Sequence, residues 1–227
     1  KRGKYGYFMV DTENKRQDVI KLVSDISKSI KKPLCVKIRM IEDDINLTIN
    51  FAKQLENAGA KILVIHARPS QQDKSGSMNI ECVKEIVKSL SIPVIANGGI
   101  TSKEDAERVI KESGAAGAMI GQALLKNPSL LECSQNSESI ENLRAKLFNV
   151  AREYISIMRS VNSSALDIAT RHMFYIFDDL LGKNGEMRKK LADTKTLEDI
   201  ETFIDQLEKE CINIWFVFIF LFCSYSK

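Results

Sequence analysis

The sequence has no Cys-x-x-Cys pair, and its five cysteines (Cys35, Cys82, Cys133, Cys211 and Cys223) are an odd number without metal-ligand spacing. That argues against a zinc site or a disulfide scaffold and for reduced thiols in an intracellular compartment. Histidine is scarce as well, with only His66 and His172 present, and no metal site is expected. Charge of one sign is also missing: 33 basic residues face 30 acidic ones, a net +3 that permits a polyanionic partner without demanding one. No apolar run reaches the roughly 20 residues needed to cross a bilayer. The longest, Ile212 to Cys223, reads INIWFVFIFLFC and is expected to be a sticky, β-prone tail rather than a membrane span. No signal-peptide pattern is present and the first residue is Lys1, from which a start inside a longer protein is expected.

What is present is an ordinary globular composition, 44% hydrophobic and 28% charged over 227 residues, enough to bury a core. From Gln17 to Leu131, helical periodicity alternates with short apolar runs. Asp18 to Ile30 carries Val19, Ile20, Val23 and Ile26 at helical spacing, and Pro33 closes it before PLCVKIRM. The pattern repeats with Asp44 to Ala58 and KILVIH, Asn79 to Leu90 and IPVIA, then Ser102 to Glu112 and AGAMI. Four parallel βα units are predicted, with strands rich enough in Val, Ile and Leu to be buried on both faces. A complete (β/α)8 barrel takes about 250 residues, so this region is half a barrel or a small open sheet.

After Pro128 only helical periodicity remains, from Glu138 to Leu207, and Thr196 with Asp199 opens the last helix as a capping box. The fold predicted is α/β, the second half of a TIM-type barrel over 1–133 followed by an all-helical domain over 138–210. Residues 134–139 serve as a polar linker, and 211–227 form the apolar tail.

Chemistry gathers at the predicted strand ends. Period-two alternation puts Lys37 and Arg39 on one face of the first strand, where they can hold an electron-rich ring or an anion, or else reach solvent as an ordinary strand end. The second strand ends His66-Ala67-Arg68, and His66 reads either as a site residue or as a structural hydrogen-bonding one. Asn97-Gly98-Gly99 and Gly121-Gln122 follow the third and fourth strands directly before helix starts, as phosphate-binding turns do. Arg144, Arg152 and Arg171 belong to a basic set on the helical part, suited to backbone phosphates or to a solvated surface.

The strings KRGKYGYF, VKIR, HAR, IPVIANGGI and MIGQALLKNPSLL, in this order and spacing, resemble the tRNA-dihydrouridine synthase family over about Lys1 to Leu180. The resemblance implies an FMN-dependent oxidoreductase in which NADPH reduces the flavin and hydride passes to a flipped-out uridine of tRNA. It implies Lys37 and His66 at the flavin ring, Asn97, Gly98 and Gly99 as one phosphate loop, and Gly121 with Gln122 as the other. Arg39, Arg68, Arg144, Arg152 and Arg171 become candidates for substrate contact, Arg68 alternatively for the flavin phosphate. The proton-donating cysteine of such enzymes sits in a GCP motif expected before Lys1, so the chain alone is expected to be inactive. The family pattern has HGR where this chain has His66-Ala67-Arg68, and GR where it has Gly121-Gln122. The ANGG form and the helical tail lean toward a eukaryotic enzyme of the position-20 type. A monomeric cytoplasmic protein is expected. The alternatives are a non-catalytic tRNA-binding protein that keeps the fold, or another FMN-dependent barrel oxidoreductase of the dihydroorotate-dehydrogenase-like kind.

Overall fold

The computed structural model describes residues 6–69, 77–131, 140–161 and 165–223, with residues 69, 140 and 212–223 described by backbone alone. The chain divides into two compact units, Lys1–Gly121 and Gln122–Lys227.

The first unit opens with a 3-10 turn, Gly6–Met9, and continues as α1 (Glu13–Ser29), β1 (Cys35–Met40), α2 (Ile45–Asn57), β2 (Ile62–Pro69), α3 (Ile80–Ser89), β3 (Val94–Asn97), α4 (Lys103–Ser113) and β4 (Gly117–Met119). The helix starts follow local chemistry. Asp44, Asn79 and Ser102 each accept a hydrogen bond from the backbone N–H three residues on, which satisfies a donor that the first turn leaves orphaned. Helix α4 ends at Gly114, whose φ of 73° is the left-handed conformation that glycine takes without a Cβ clash.

The four strands form one parallel sheet in the order β1-β2-β3-β4, the arrangement expected of consecutive βα units. Alternation then sorts the side chains. Ile38, Met40, Leu63, Ile65, Ala67, Val94 and Ala96 are buried against Phe51 and Leu55 of α2, Val83 and Ile86 of α3 and Val109 of α4. Each large apolar side chain buried in this layer contributes about 1.5–3 kcal/mol. The opposite face carries Lys37, Arg39, His66, Ile95, Asn97 and Met119, and these are exposed or half-buried. The expectation of strands buried on both faces is therefore corrected: of the described residues on this second face, Val64 at 2% exposure and Arg68 at 7% are closed off, and the rest are not. Helices α2 to α4 supply one covering layer, and an apolar run only four residues long does not by itself require a second.

In the second unit α5 (Gln122–Lys126), α6 (Ile140–Ser160), α7 (Leu166–Ile176), α8 (Asp178–Leu181), α9 (Gly185–Ala192) and α10 (Leu197–Cys223) enclose a core of Phe148, Ile155, Met173, Phe177, Leu191, Ile200 and Ile204. Its described residues include no strand. Thr196 and Asp199 cap α10 reciprocally, each backbone N–H donating to the other's side chain at 3.0 Å. The unit begins earlier than the polar stretch 134–139 suggested, because α5 packs on α7 and Lys126 pairs with Asp178 at 2.6 Å. Polar composition marks where a chain is solvated, not where its contacts change hands. Residues 132–139, and with them Cys133, lie outside the described ones. The β-prone tail is corrected as well: the backbone of α10 stays helical through Cys223, continuing a charged helix that was already nucleated. Among the described residues no helix is long and apolar enough to cross a membrane.

Candidate functional site

In a parallel sheet, residues in register stand side by side on one face. The register places Arg39 of β1 opposite His66 of β2, His66 opposite Asn97 of β3, and Asn97 opposite Met119 of β4. One row of side chains thus crosses all four strands at their carboxyl ends. Lys37 lies two residues back on β1, in register with Val64, so it shares the face at a spacing of about 6–7 Å. Gly121 follows two residues after Met119 and closes the first unit, while Gln122 opens the second.

The row is electropositive. His66 is half-buried, and its pKa is pushed down to about 4, first by burial and then by the charges of Lys37, Arg39 and Arg68. Lys37 is lowered from the ordinary lysine range by burial and then by Arg39. Arg39 is lowered by burial and then by Arg68, though a guanidinium stays charged throughout. The imidazole at neutral pH is therefore uncharged and surrounded by cations, with one ring nitrogen free to accept and the other to donate.

Two hydrogen bonds tie the strand ends together. Arg39 donates from Nε to the carbonyl oxygen of Arg68 at 3.0 Å, and Asn97 donates from Nδ2 to the carbonyl oxygen of Met119 at 2.8 Å. The end of β1 is held by a pair that sequence reasoning missed. Thr48, fully buried on α2, accepts from the backbone N–H of Ile41 at 3.0 Å and donates to the carbonyl of Asp44 at 2.7 Å. Between them Glu42 and Asp43 take positive φ values of 50° and 59°. The only available signal was Asp43, since aspartate tolerates that conformation better than most residues.

The loop after β3 requires its glycines. Gly98 has φ 132°, and a Cβ there would lie 2.9 Å from Cδ2 of His66; Gly99 has φ 67°, and a Cβ there would lie 2.2 Å from Nη2 of Arg68, the end of a flexible side chain, so at Gly99 the positive φ is the stronger demand for glycine. Gly121 differs, since a Cβ added to it meets nothing within 4 Å. The amino terminus of α4 is partly taken up by its own chain. Asp105 accepts from the hydroxyl of Thr101 at 2.8 Å and from its backbone N–H at 3.3 Å, and pairs with Arg108 at 3.1 Å. These contacts, the Thr101 hydroxyl foremost, hold its carboxyl below the usual range. A carboxylate of the helix itself thus already faces the positive end of α4. Helix α5, five residues long, offers less dipole still. A cleft of about 180 Å³ opens beside the loop, lined by Arg68, Gly98, Gly99, Ile100, Asp105 and Arg108 among others.

The arginines of the second unit form no such cluster. Arg152 of α6 pairs with Asp205 at 2.8 Å and with Glu208 at 2.5 Å, both on α10. Arg171 is exposed and meets Asp167 one turn back at 3.3 Å. Arg144 is half-buried, and its charge acts on Cys211. The ring of His172 stands 5.2 Å from that of Tyr154, a packing contact between α6 and α7.

Among the described cysteines, Cys35 lies at the amino end of β1, and Cys82 is fully buried with its thiol pushed up to about 11 by burial. No group of three His, Cys, Asp or Glu among the described residues is placed to hold a metal ion.

A model of the family described as "Dihydrouridine synthase (Dus)" matches residues 2–213. The chain belongs to the dihydrouridine synthase family. Among its relatives in this family are the rat "tRNA-dihydrouridine(16/17) synthase [NAD(P)(+)]-like" protein, 30% identical over 93% of this chain and 45% of the relative. The fission yeast Schizosaccharomyces pombe "tRNA-dihydrouridine(16/17) synthase [NAD(P)(+)]" is 31% identical over 89% of this chain and 51% of the relative. The human "tRNA-dihydrouridine(20a/20b) synthase [NAD(P)+]-like" protein is 31% identical over 56% of this chain and 39% of the relative. The chain spans about half the length of the curated relatives it matches. Both kinds of synthase are thus among the relatives, and the longer matches are to the 16/17 kind rather than the position-20 kind toward which the motifs lean.

Proposed function

We propose that this chain forms the carboxyl-terminal half of the FMN-binding (β/α)8 barrel of a tRNA-dihydrouridine synthase, together with a helical unit that meets tRNA. The observation that carries the reading is the row Arg39–His66–Asn97, with Lys37 behind it, on the sheet face opposite the one that α2 to α4 cover. In a closed barrel that face is the interior, and the carboxyl ends of the strands form the mouth of the site.

The residues fit a phosphorylated flavin. Three cations and a neutral imidazole stand together with no acid among the influences on His66, which suits an electron-rich ring that carries an anion. The Gly98-Gly99 turn keeps backbone close to the site where any side chain would collide. In this reading Lys37 and His66 hold the ring, Asn97, Gly98 and Gly99 form one phosphate turn, and Gly121 with Gln122 forms the other. Bound there, FMN would supply hydride for reduction of a tRNA uridine, with NADPH as its reductant.

This chain's residues would then orient and exclude. Lys37 places a charge where negative charge develops on the ring. His66, uncharged above about pH 4, can exchange hydrogen bonds without adding a further cation. Arg39 and Arg68 remain candidates for the uridine and its backbone. Arg144 and Arg171 are candidates for tRNA phosphates, and Arg152 would have to leave its pairs on α10 to join them. Of the described cysteines on the first unit neither suits a proton donor to the uridine: Cys82 is closed off and raised, and Cys35 lies at the far end of β1 from the row.

A second reading, a tRNA-binding protein that has kept the fold without catalysis, draws on the lack of a suitable cysteine among the described residues of the first unit and on Gln122 in place of arginine. A further flavin oxidoreductase of the barrel class would share the glycine turns but has no need of a helical tRNA-binding unit. Flavin content separates the first two: the enzyme reading expects full-length protein to purify yellow and to form dihydrouridine in unmodified tRNA, and a colourless, inactive protein that still binds tRNA supports the second. Flavin bound without any dihydrouridine formed points to the third.

A further inference from the structure

The members of the row all come from strands, and one further side chain reaches it from outside the sheet. The turn Gly6–Met9 precedes α1 and packs on both α1 and β1. In a βα layer the helices run against the strands, so the amino end of a helix stands at the carboxyl end of the sheet, where the row lies. Within this turn the side chains divide. Tyr7 is half-buried, its ring packed on the core to which Ile38 and Met40 of β1 belong, while Phe8 and Met9 are exposed. After burial and Arg68, the third influence on Arg39 is Tyr7, so the phenol stands toward the first member of the row.

The turn is pinned from behind. Val10 is buried and donates its N–H to the carbonyl oxygen of Tyr7 at 2.9 Å. Its own carbonyl oxygen accepts from Nη1 of Arg16 at 3.0 Å, and the same guanidinium donates to Glu13 at 2.8 and 3.1 Å. Arg16 is only 8% exposed, and a buried guanidinium is tolerated only while such partners are in place. What Arg16 fixes is the stretch of backbone that carries Tyr7.

A phenol suits this place. Its ring is retained by the core, and its hydroxyl both donates and accepts, as the carbonyl and imide N–H edge of a uracil requires. The neighbouring lysine and arginine side chains can only donate. We infer that Tyr7 is a further substrate-positioning residue: its hydroxyl hydrogen-bonds the uracil of the target uridine at the mouth of the site, and Arg16 holds the turn where that contact is made. The inference rests on the synthase reading above and deepens it. It adds to the cation row a neutral group from the Gly6–Met9 turn, which orients the base without adding charge.

The test uses full-length protein, unmodified tRNA and the variants Tyr7→Phe, Arg16→Gln and their combination. Tyr7→Phe keeps the ring and removes the hydroxyl, so flavin content, thermal stability and tRNA affinity are expected to stay close to wild type. Dihydrouridine formation at saturating tRNA is expected to slow about two- to tenfold, the span of one neutral hydrogen bond. Such a split between turnover and binding marks a contact made at the reacting base. Arg16→Gln is expected to lower the melting temperature and to slow turnover as well, and in the double variant the two losses are expected to overlap rather than multiply. Wild-type turnover by Tyr7→Phe overturns the inference while the synthase reading stands. Slowing that only follows a loss of bound flavin overturns it too, as does a double variant in which the two losses multiply in full. A wild type that forms no dihydrouridine removes the synthase reading and the inference together.

Discussion

The imidazole of His66 occupies the space that a side chain at position 98 would need, with Cδ2 only 2.9 Å from where the Cβ would stand. Gly98 also holds a φ of 132°, which no L-residue takes without strain. Gly98→Ala is therefore expected to lower stability by about 2 kcal/mol or more, because the neighbour it meets is itself half-buried and cannot swing clear. Gly121→Ala meets open space at an ordinary φ and is expected to stay within about 0.5 kcal/mol of wild type. Thermal melts of the two variants check the contrast, and equal losses would count against it.

The titration of His66 gives a pH dependence whose sign can be worked out. The folded pKa is about 4 and the ordinary value 6.5, so between these pH values the unfolded chain binds a proton that the folded chain does not. Stability is full above about 6.5 and falls as pH drops toward 4. For a half-buried ring the contribution is about 1–2 kcal/mol once solvent screening is allowed for. His66→Asn is expected to flatten the acid side of the stability curve. A variant as acid-sensitive as wild type over that window would show that burial and the surrounding cations do not depress His66.

Arg152 faces α10, where it meets Asp205 and Glu208. Exposed pairs of this kind contribute roughly 0.2–1 kcal/mol each, so Arg152→Ala is expected to cost about 1 kcal/mol and to weaken tRNA binding less than Arg171→Ala does. Chemical denaturation and filter binding of unmodified tRNA measure the two effects. A tRNA affinity that falls further for Arg152→Ala would restore Arg152 to the tRNA surface.

The open sheet face leads to a fourth expectation. Among the described residues of the first unit Lys37, Arg39, His66, Ile95 and Asn97 are exposed or half-buried, and β1 and β4 are the edges of the sheet. The chain by itself is expected to melt with low cooperativity and to bind an apolar dye such as ANS. A sharp two-state melt with one FMN per chain would contradict this.

Much of the first unit was legible because its signals are local. Asp44, Asn79 and Ser102 cap helices where a short polar side chain precedes an apolar repeat, and VKIR, ILVIH and VIAN become β1, β2 and β3. The shared face of Lys37 and Arg39 follows from a period of two. Register is not local. That His66 stands opposite both Arg39 and Asn97 depends on how three strands slide past one another, which the alternation constrains only to within two residues. The hold of Thr48 on Ile41 was invisible for the same reason, since a threonine in a helical stretch shows nothing of the strand end it will meet. The double burial read into ILVI failed because an apolar run states a preference for being covered, while the cover has to come from elsewhere in the fold. Arg152 likewise looked like a phosphate ligand until the acids of α10 were brought beside it.

Flavin binding and its dependence on Lys37 test the central claim most directly. FMN titrated into full-length protein, followed by absorbance and flavin fluorescence, is expected to saturate at one per chain. Lys37→Ala, which removes a cation from the same face as His66 and Asn97, is expected to lower the affinity tenfold or more at roughly 1.5–3 kcal/mol for a charge-assisted contact. A protein that binds no FMN, or binds it equally well without Lys37, would contradict the claim that the carboxyl ends of these four strands hold a phosphorylated flavin.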